Sequence, residues 1–175
     1  MPAVRLAVSV LALAAALAAC TATAPPAPEA GAPAQPDPVR MVATVRDAAG
    51  SGEGELSVQP LRDPMVEDLR EQAAALEKQG KYAESAAALD QALAIVPDDP
   101  AVLQERAEAA LLSKDFAGAE QRARRAFEIG SKVGPLCRKH WATVRAARYA
   151  QGDGAGAAQA VQQMDACKIA APERF

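Results

Sequence analysis

The hydrophobic pattern divides the chain into four stretches. Residues 6–19 are apolar except for Ser9, and Arg5 is the only charge before Glu29. Residues 21–38 follow with six prolines, Pro25, Pro26, Pro28, Pro33, Pro36 and Pro38. Such a tract supports neither helix nor sheet and favours extended polyproline II. Residues 39–61 carry β-branched side chains in partial alternation, "VRMVATVRD" and "ELSVQPL", around a turn-like "AAGSGEG". This stretch reads as a short hairpin, as an extended strip against the next domain, or as an unstructured link. From Val66 onward the spacing becomes helical. In "GKYAESAAALDQALAIVPDDP" (residues 80–100) an aromatic follows the glycine by two, small residues share a face, and Pro97 closes the run.

Composition sharpens the helical reading. Half the residues are hydrophobic but only 3% are aromatic, and alanine supplies much of the apolar total. Alanine buries little area and is the best helix former. An all-α fold of helices packed closely through small side chains is expected.

The helical stretch repeats itself. Leu69, Ala73, Gly80, Tyr82, Ser85, Leu89, Ala92 and Pro97 recur 34 residues on as Leu103, Ala107, Lys114, Phe116, Ala119, Ala123, Ala126 and Ser131. A third copy lies 38 residues further, with Trp141, Gly152, Ala157, Val161 and Met164 in matching places and about four residues inserted around "SKVGPL". This pattern resembles the tetratricopeptide repeat over residues 66–168. It departs at Gln72 and Arg106, where the family usually has leucine, at Arg145, a normally small site, and at Gly154, where an aromatic is expected. The resemblance implies a short superhelix of three antiparallel helix hairpins. Small residues (Ala73, Ser85, Ala107, Ala119, Ala157) let paired helices approach. Larger ones (Leu69, Tyr82, Leu89, Phe116, Trp141) fill the gaps between hairpins. No hairpin buries its apolar face alone, so the repeats stack. Such arrays usually end in a polar capping helix, and "KIAAPERF" after Cys167 is too short for one.

The amino-terminus reads as an address. Fourteen apolar residues fall short of the ~20 needed to span a bilayer and match a signal-peptide core. Leu17-Ala18-Ala19-Cys20 resembles the bacterial lipoprotein lipobox. That resemblance implies cleavage before Cys20 and its acylation; long acyl chains at about 0.8 kcal/mol per CH₂ make the anchor effectively permanent. Thr21 is not the aspartate that resembles an inner-membrane retention signal. The expected location is therefore the outer membrane, facing the periplasm, in a host that has one. The expected organisation is a signal peptide (1–19), a lipidated cysteine with its tether (20–38), an extended segment or small hairpin (39–65), the helical domain (66–168) and a tail (169–175). The tether reaches on the order of 50 Å.

Two thiols remain. The repeat register puts Cys137 at the start of the third hairpin's first helix and Cys167 at the end of its second. Those ends are neighbours in an antiparallel hairpin, and in an oxidising compartment a disulfide is the natural expectation.

Catalytic chemistry is not evident. His140 is the only histidine and is expected on a helix surface. No second histidine completes a metal site, no phosphate loop is present, and Asp98-Asp99 reads as a solvated inter-repeat loop. No cofactor or metal is expected. The net charge of −3 excludes a globally basic nucleic-acid binder. Charge is unevenly spread, however: residues 66–121 sum to −7 and residues 122–148 to +7. That arrangement could orient an extended partner, or drive self-association of acidic on basic repeats.

Arrays of this family bind through the concave face lined by the first helix of each repeat. Carried over, that gives Glu67, Arg70, Glu77 and Lys78, then Gln104, Glu108 and Leu111, then Lys139 and Tyr149. The expected function is a membrane-anchored periplasmic adaptor that binds a protein or peptide. Known relatives of that general type assist cell-wall enzymes or pilus and secretin assembly. The alternative is a self-associating structural subunit.

Overall fold

The computed structural model describes residues 36–50 and 63–168, all within one compact unit. Their helices are α1 (Pro38–Asp47), α2 (Pro64–Lys78), α3 (Tyr82–Ile95), α4 (Pro100–Leu112), α5 (Phe116–Ile129), α6 (Gly134–Ala150) and α7 (Gly154–Ala166). The signal peptide, Cys20, most of the tether, "ELSVQPL" and the tail lie outside the described residues.

Local chemistry sets where the helices begin. α1, α2 and α4 each start on an Asp-Pro pair. The proline fixes φ where its missing N–H is not needed, and the aspartate side chain caps a free backbone N–H. Asp37 accepts from Val39 N–H at 3.1 Å, Asp63 from Met65 at 2.8 Å, and Asp99 from Ala101 at 2.8 Å. Asp115 and Asp153 cap α5 and α7 in the same way, through Gly118 and Gly156 N–H.

The three hairpins turn alike. Gly80, Lys114 and Gly152 all have positive φ (74°, 59° and 80°). The N–H of the next residue bonds back across the helix end, Lys81 to Leu76 O, Asp115 to Ala110 O and Asp153 to Arg148 O. This is the Schellman arrangement, which favours glycine at the left-handed position. Lys114 adopts it without that advantage.

Packing follows the small residues. Ala73, Ser85, Ala107, Ala119 and Ala157 are buried, so α2 lies on α3, α4 on α5 and α6 on α7 at close range. Successive hairpins meet through α3 against α4 and α5 against α6. Trp141 packs on Ala107, Ala123, Val144 and Ala160, with Phe127 edge-on at 4.9 Å. The insertion around "SKVGPL" joins α5 to α6. There Gly134 N–H bonds to Cys167 O at 2.8 Å, and a disulfide joins Cys137 to Cys167 with their Cα atoms 5.7 Å apart.

Residues 39–47 correct the sequence expectation. They form a helix, not an extended strip or a hairpin strand. Met41, Val42 and Val45 are buried, and their spacing is helical. They sit on α4 and α6 with Leu111, Ala142 and Ala146 in one apolar cluster. Burying each such side chain gives about 1.5–3 kcal/mol. That outweighs the modest preference of valine for strand over helix.

Candidate functional site

α2, α4 and α6 are the first helices of the three hairpins, the side that the repeat register makes concave. α1 lies against α4 and α6 there, which divides the face. One part is covered and apolar; the other is an open, polar groove of about 420 Å³. Its walls come from Glu67, Arg70, Glu71, Glu77 and Lys78 on α2, Glu105 and Glu108 on α4, Lys139 on α6 and Arg46 on α1.

Six of the nine residues expected from the repeat register therefore share this groove: Glu67, Arg70, Glu77, Lys78, Glu108 and Lys139. Three do not. Leu111 is fully buried beneath α1, and Gln104 is 1% exposed. Tyr149 is 67% exposed but does not line the groove. For Leu111 the reason is α1, which packs on it; Gln104 is closed in by Glu108, Thr143 and His140. Sequence reasoning missed Arg46, Glu71 and Glu105. The signal for Arg46 was present: Asp37-Pro38 matches the pairs that open α2 and α4, and Met41, Val42 and Val45 share one helical face.

The groove charges are tied to one another. Arg46 places Nη1 and Nη2 on the two Glu77 oxygens at 2.8 and 2.9 Å, and Nε on Glu108 Oε2 at 2.7 Å. Lys139 Nζ reaches Glu108 Oε1 at 2.9 Å. Arg70 clasps Glu105 and also reaches Glu67 at 2.8 Å. These bonds hold both guanidiniums more firmly protonated than usual. For Arg46 the bond to Glu77 is the largest cause; for Arg70 it is the bond to Glu105; burial opposes both. Glu71 and Lys78 make no ion pair among the described residues, and both are exposed. They are the charges a partner meets without first breaking a bond.

Beneath the groove runs a buried polar ladder. Gln104 Nε2 donates to Glu108 Oε1 at 3.0 Å and to Thr143 Oγ1 at 2.8 Å. Gln104 Oε1 faces His140 Nδ1 at 2.7 Å, so the imidazole carries its proton on Nδ1. His140 is fully buried, contrary to the surface position expected. Desolvation, then the nearby Lys139 and Lys132 charges, push its pKa down to about 3. It is neutral, and its Nε2 has no partner among the described residues. Its role is to hold α6 against α4.

The two charge blocks also meet within the chain. Arg125 reaches back to Asp98 at 2.8 Å. Arg124 and Arg148 share Glu120 at 2.8 and 2.9 Å. Much of the apparent polarity is neutralised between neighbouring elements. No group of three or more potential metal ligands occurs among the described residues, and no described helix is long and apolar enough to cross a membrane.

Comparison with known proteins agrees with this architecture. A tetratricopeptide-repeat family model matches residues 76–132. The globular C-terminal domain of P. aeruginosa LpoP is similar in structure, with a TM-score of 0.57 and 34% sequence identity. The match covers 60% of this chain and 99% of that domain. Among curated protein sequences none matches the chain. The repeat spacing, the three alike turns and these two likenesses agree: the chain belongs to the tetratricopeptide-repeat family.

Proposed function

We propose that the protein is a lipid-anchored adaptor of the cell envelope that binds a protein partner through the open half of its concave face. The observation that carries this reading is the groove itself. It is exposed, it is walled by the first helices of the first two repeats, and two of its charges, Glu71 and Lys78, are unpaired among the described residues. The repeat fold and the likeness to the LpoP domain point to a scaffold that engages proteins and not to a catalyst. Cys20 holds the chain to the outer membrane and the proline tract lets the array reach a periplasmic partner. Assembly of cell-wall, pilus or secretin machinery is the setting proposed for it.

The test is capture from periplasmic extract with residues 21–175, wild type beside a Glu71→Ala/Lys78→Ala variant. A partner retained by the wild type and lost by the variant supports the groove. Equal capture by both moves the site off the open groove. No capture, with the bait forming salt-sensitive oligomers, replaces the adaptor with a self-associating subunit.

A further inference from the structure

The covered half of the concave face has its own chemistry. Three features of α4, α2 and α6 read a helix through its apolar face, one arginine and its terminal carbonyls. Leu111, Ala142 and Ala146 form an apolar floor beneath Met41, Val42 and Val45. The Glu77 and Glu108 carboxylates hold the Arg46 guanidinium from both sides. The Arg138 guanidinium donates to the carbonyls of Ala48 and Ala49, the end of the helix, and those are backbone groups that any helix presents. We propose that this surface is a docking site for a short basic amphipathic helix of a partner protein, and that α1 is the built-in occupant which such a helix displaces. The partner helix carries two adjacent apolar residues, a third four positions after the first, and an arginine next to it. The proposal rests on the reading that the concave face is the partner surface, and it adds the class of partner.

Several observations make α1 the element that can leave. It buries three side chains on one face, whereas α4 buries nine residues. Arg46 remains 47% exposed while it holds Glu108, which is 1% exposed. Ten residues are too few to stay helical alone in water; release therefore unfolds α1. The vacated surface would leave Leu111 wet and Glu108 with Lys139 as its remaining cation. An empty site is unfavourable, so it exchanges one helix for another.

The test uses residues 21–175 and a labelled peptide of residues 36–50 as the probe. In the wild type, amide exchange of residues 41–48 should be at least tenfold faster than that of buried α4 amides. A Val42→Asp chain should bind the wild-type peptide at least tenfold more tightly than the wild-type chain does. The peptide carrying Arg46→Glu should lose at least tenfold of that affinity. Exchange in α1 as slow as in α4 overturns the proposal, and this readout needs no variant to fold. A helical Val42→Asp chain that ignores the peptide also overturns it. A concentration-dependent wild-type dimer with α1 exchanged between copies assigns the surface to a second copy and overturns the separate partner. None of these outcomes touches the Glu71/Lys78 capture experiment, so the two readings fail separately.

Discussion

Arg46 and Glu108 lie 62 residues apart in the chain and meet at 2.7 Å, Nε to Oε2. The carboxylate is buried and the guanidinium is half exposed. The two partners are therefore unequal. Glu108 also accepts from Gln104 and faces Lys139, so it is the node that ties α1, α4 and α6 together.

Substituting the two residues should expose that inequality. Glu108→Ala removes the node and leaves buried donors without an acceptor, a loss of about 3 kcal/mol in urea unfolding. Arg46→Ala leaves Glu108 with Lys139 and opens it to water, and should lose about 1 kcal/mol. Equal losses would show that the pair and not the node is what matters.

Lys114 sits at φ 59° where the first and third hairpins place glycine. A side chain in that region costs about 1–2 kcal/mol, and glycine recovers part of it against its own larger chain entropy. Lys114→Gly should raise stability by about 0.5–1 kcal/mol, seen as a higher melting temperature. An unchanged or lower value would mean that the lysine makes a compensating contact.

The Cys137–Cys167 disulfide closes a segment with a sequence separation of 30. Chain entropy alone gives about 3–4 kcal/mol for such a loop. Cys137→Ser/Cys167→Ser should lower stability by that order, with the added amide exchange concentrated in α6 and α7. Uniform loosening of all three hairpins would contradict a role local to the third.

His140 predicts a pH dependence. Its folded pKa of about 3 lies below the unfolded value near 6.5. The unfolded chain thus binds the proton first, and stability is full above pH 6.5 and falls as pH drops toward 3. Between pH 7 and 5 this group should remove about 2 kcal/mol. His140→Gln should flatten that part of the profile; an unchanged slope would place the dependence elsewhere.

Much of the architecture was legible because repeats state it several times. The 34-residue spacing of Leu69, Gly80, Tyr82 and Ala92 with Leu103, Lys114, Phe116 and Ala126 reflects helix periodicity and the turn between paired helices, both local properties. The same register placed Cys137 and Cys167 at adjoining hairpin ends, and it brought Glu67, Arg70, Glu77, Lys78, Glu108 and Lys139 to one face. Three things were decided only in three dimensions. Val39 to Asp47 carry an Asp-Pro helix start and one helical apolar face, but their β-branched residues also suit a strand, and the apolar seat of Leu111, Ala142 and Ala146, which no local window contains, decides for helix. Leu111 and Gln104 follow the repeat register, yet α1 covers Leu111, and the Gln104 amide is closed in by Glu108, Thr143 and His140. His140 looks like any lone surface histidine until Gln104, 36 residues earlier, turns out to face it across two packed helices. The sequence by itself thus determined the hairpins and their order, because short-range geometry fixes them. Tertiary structure alone decided which part of the groove stays open, because that depends on burial and charge pairing between residues far apart in the chain.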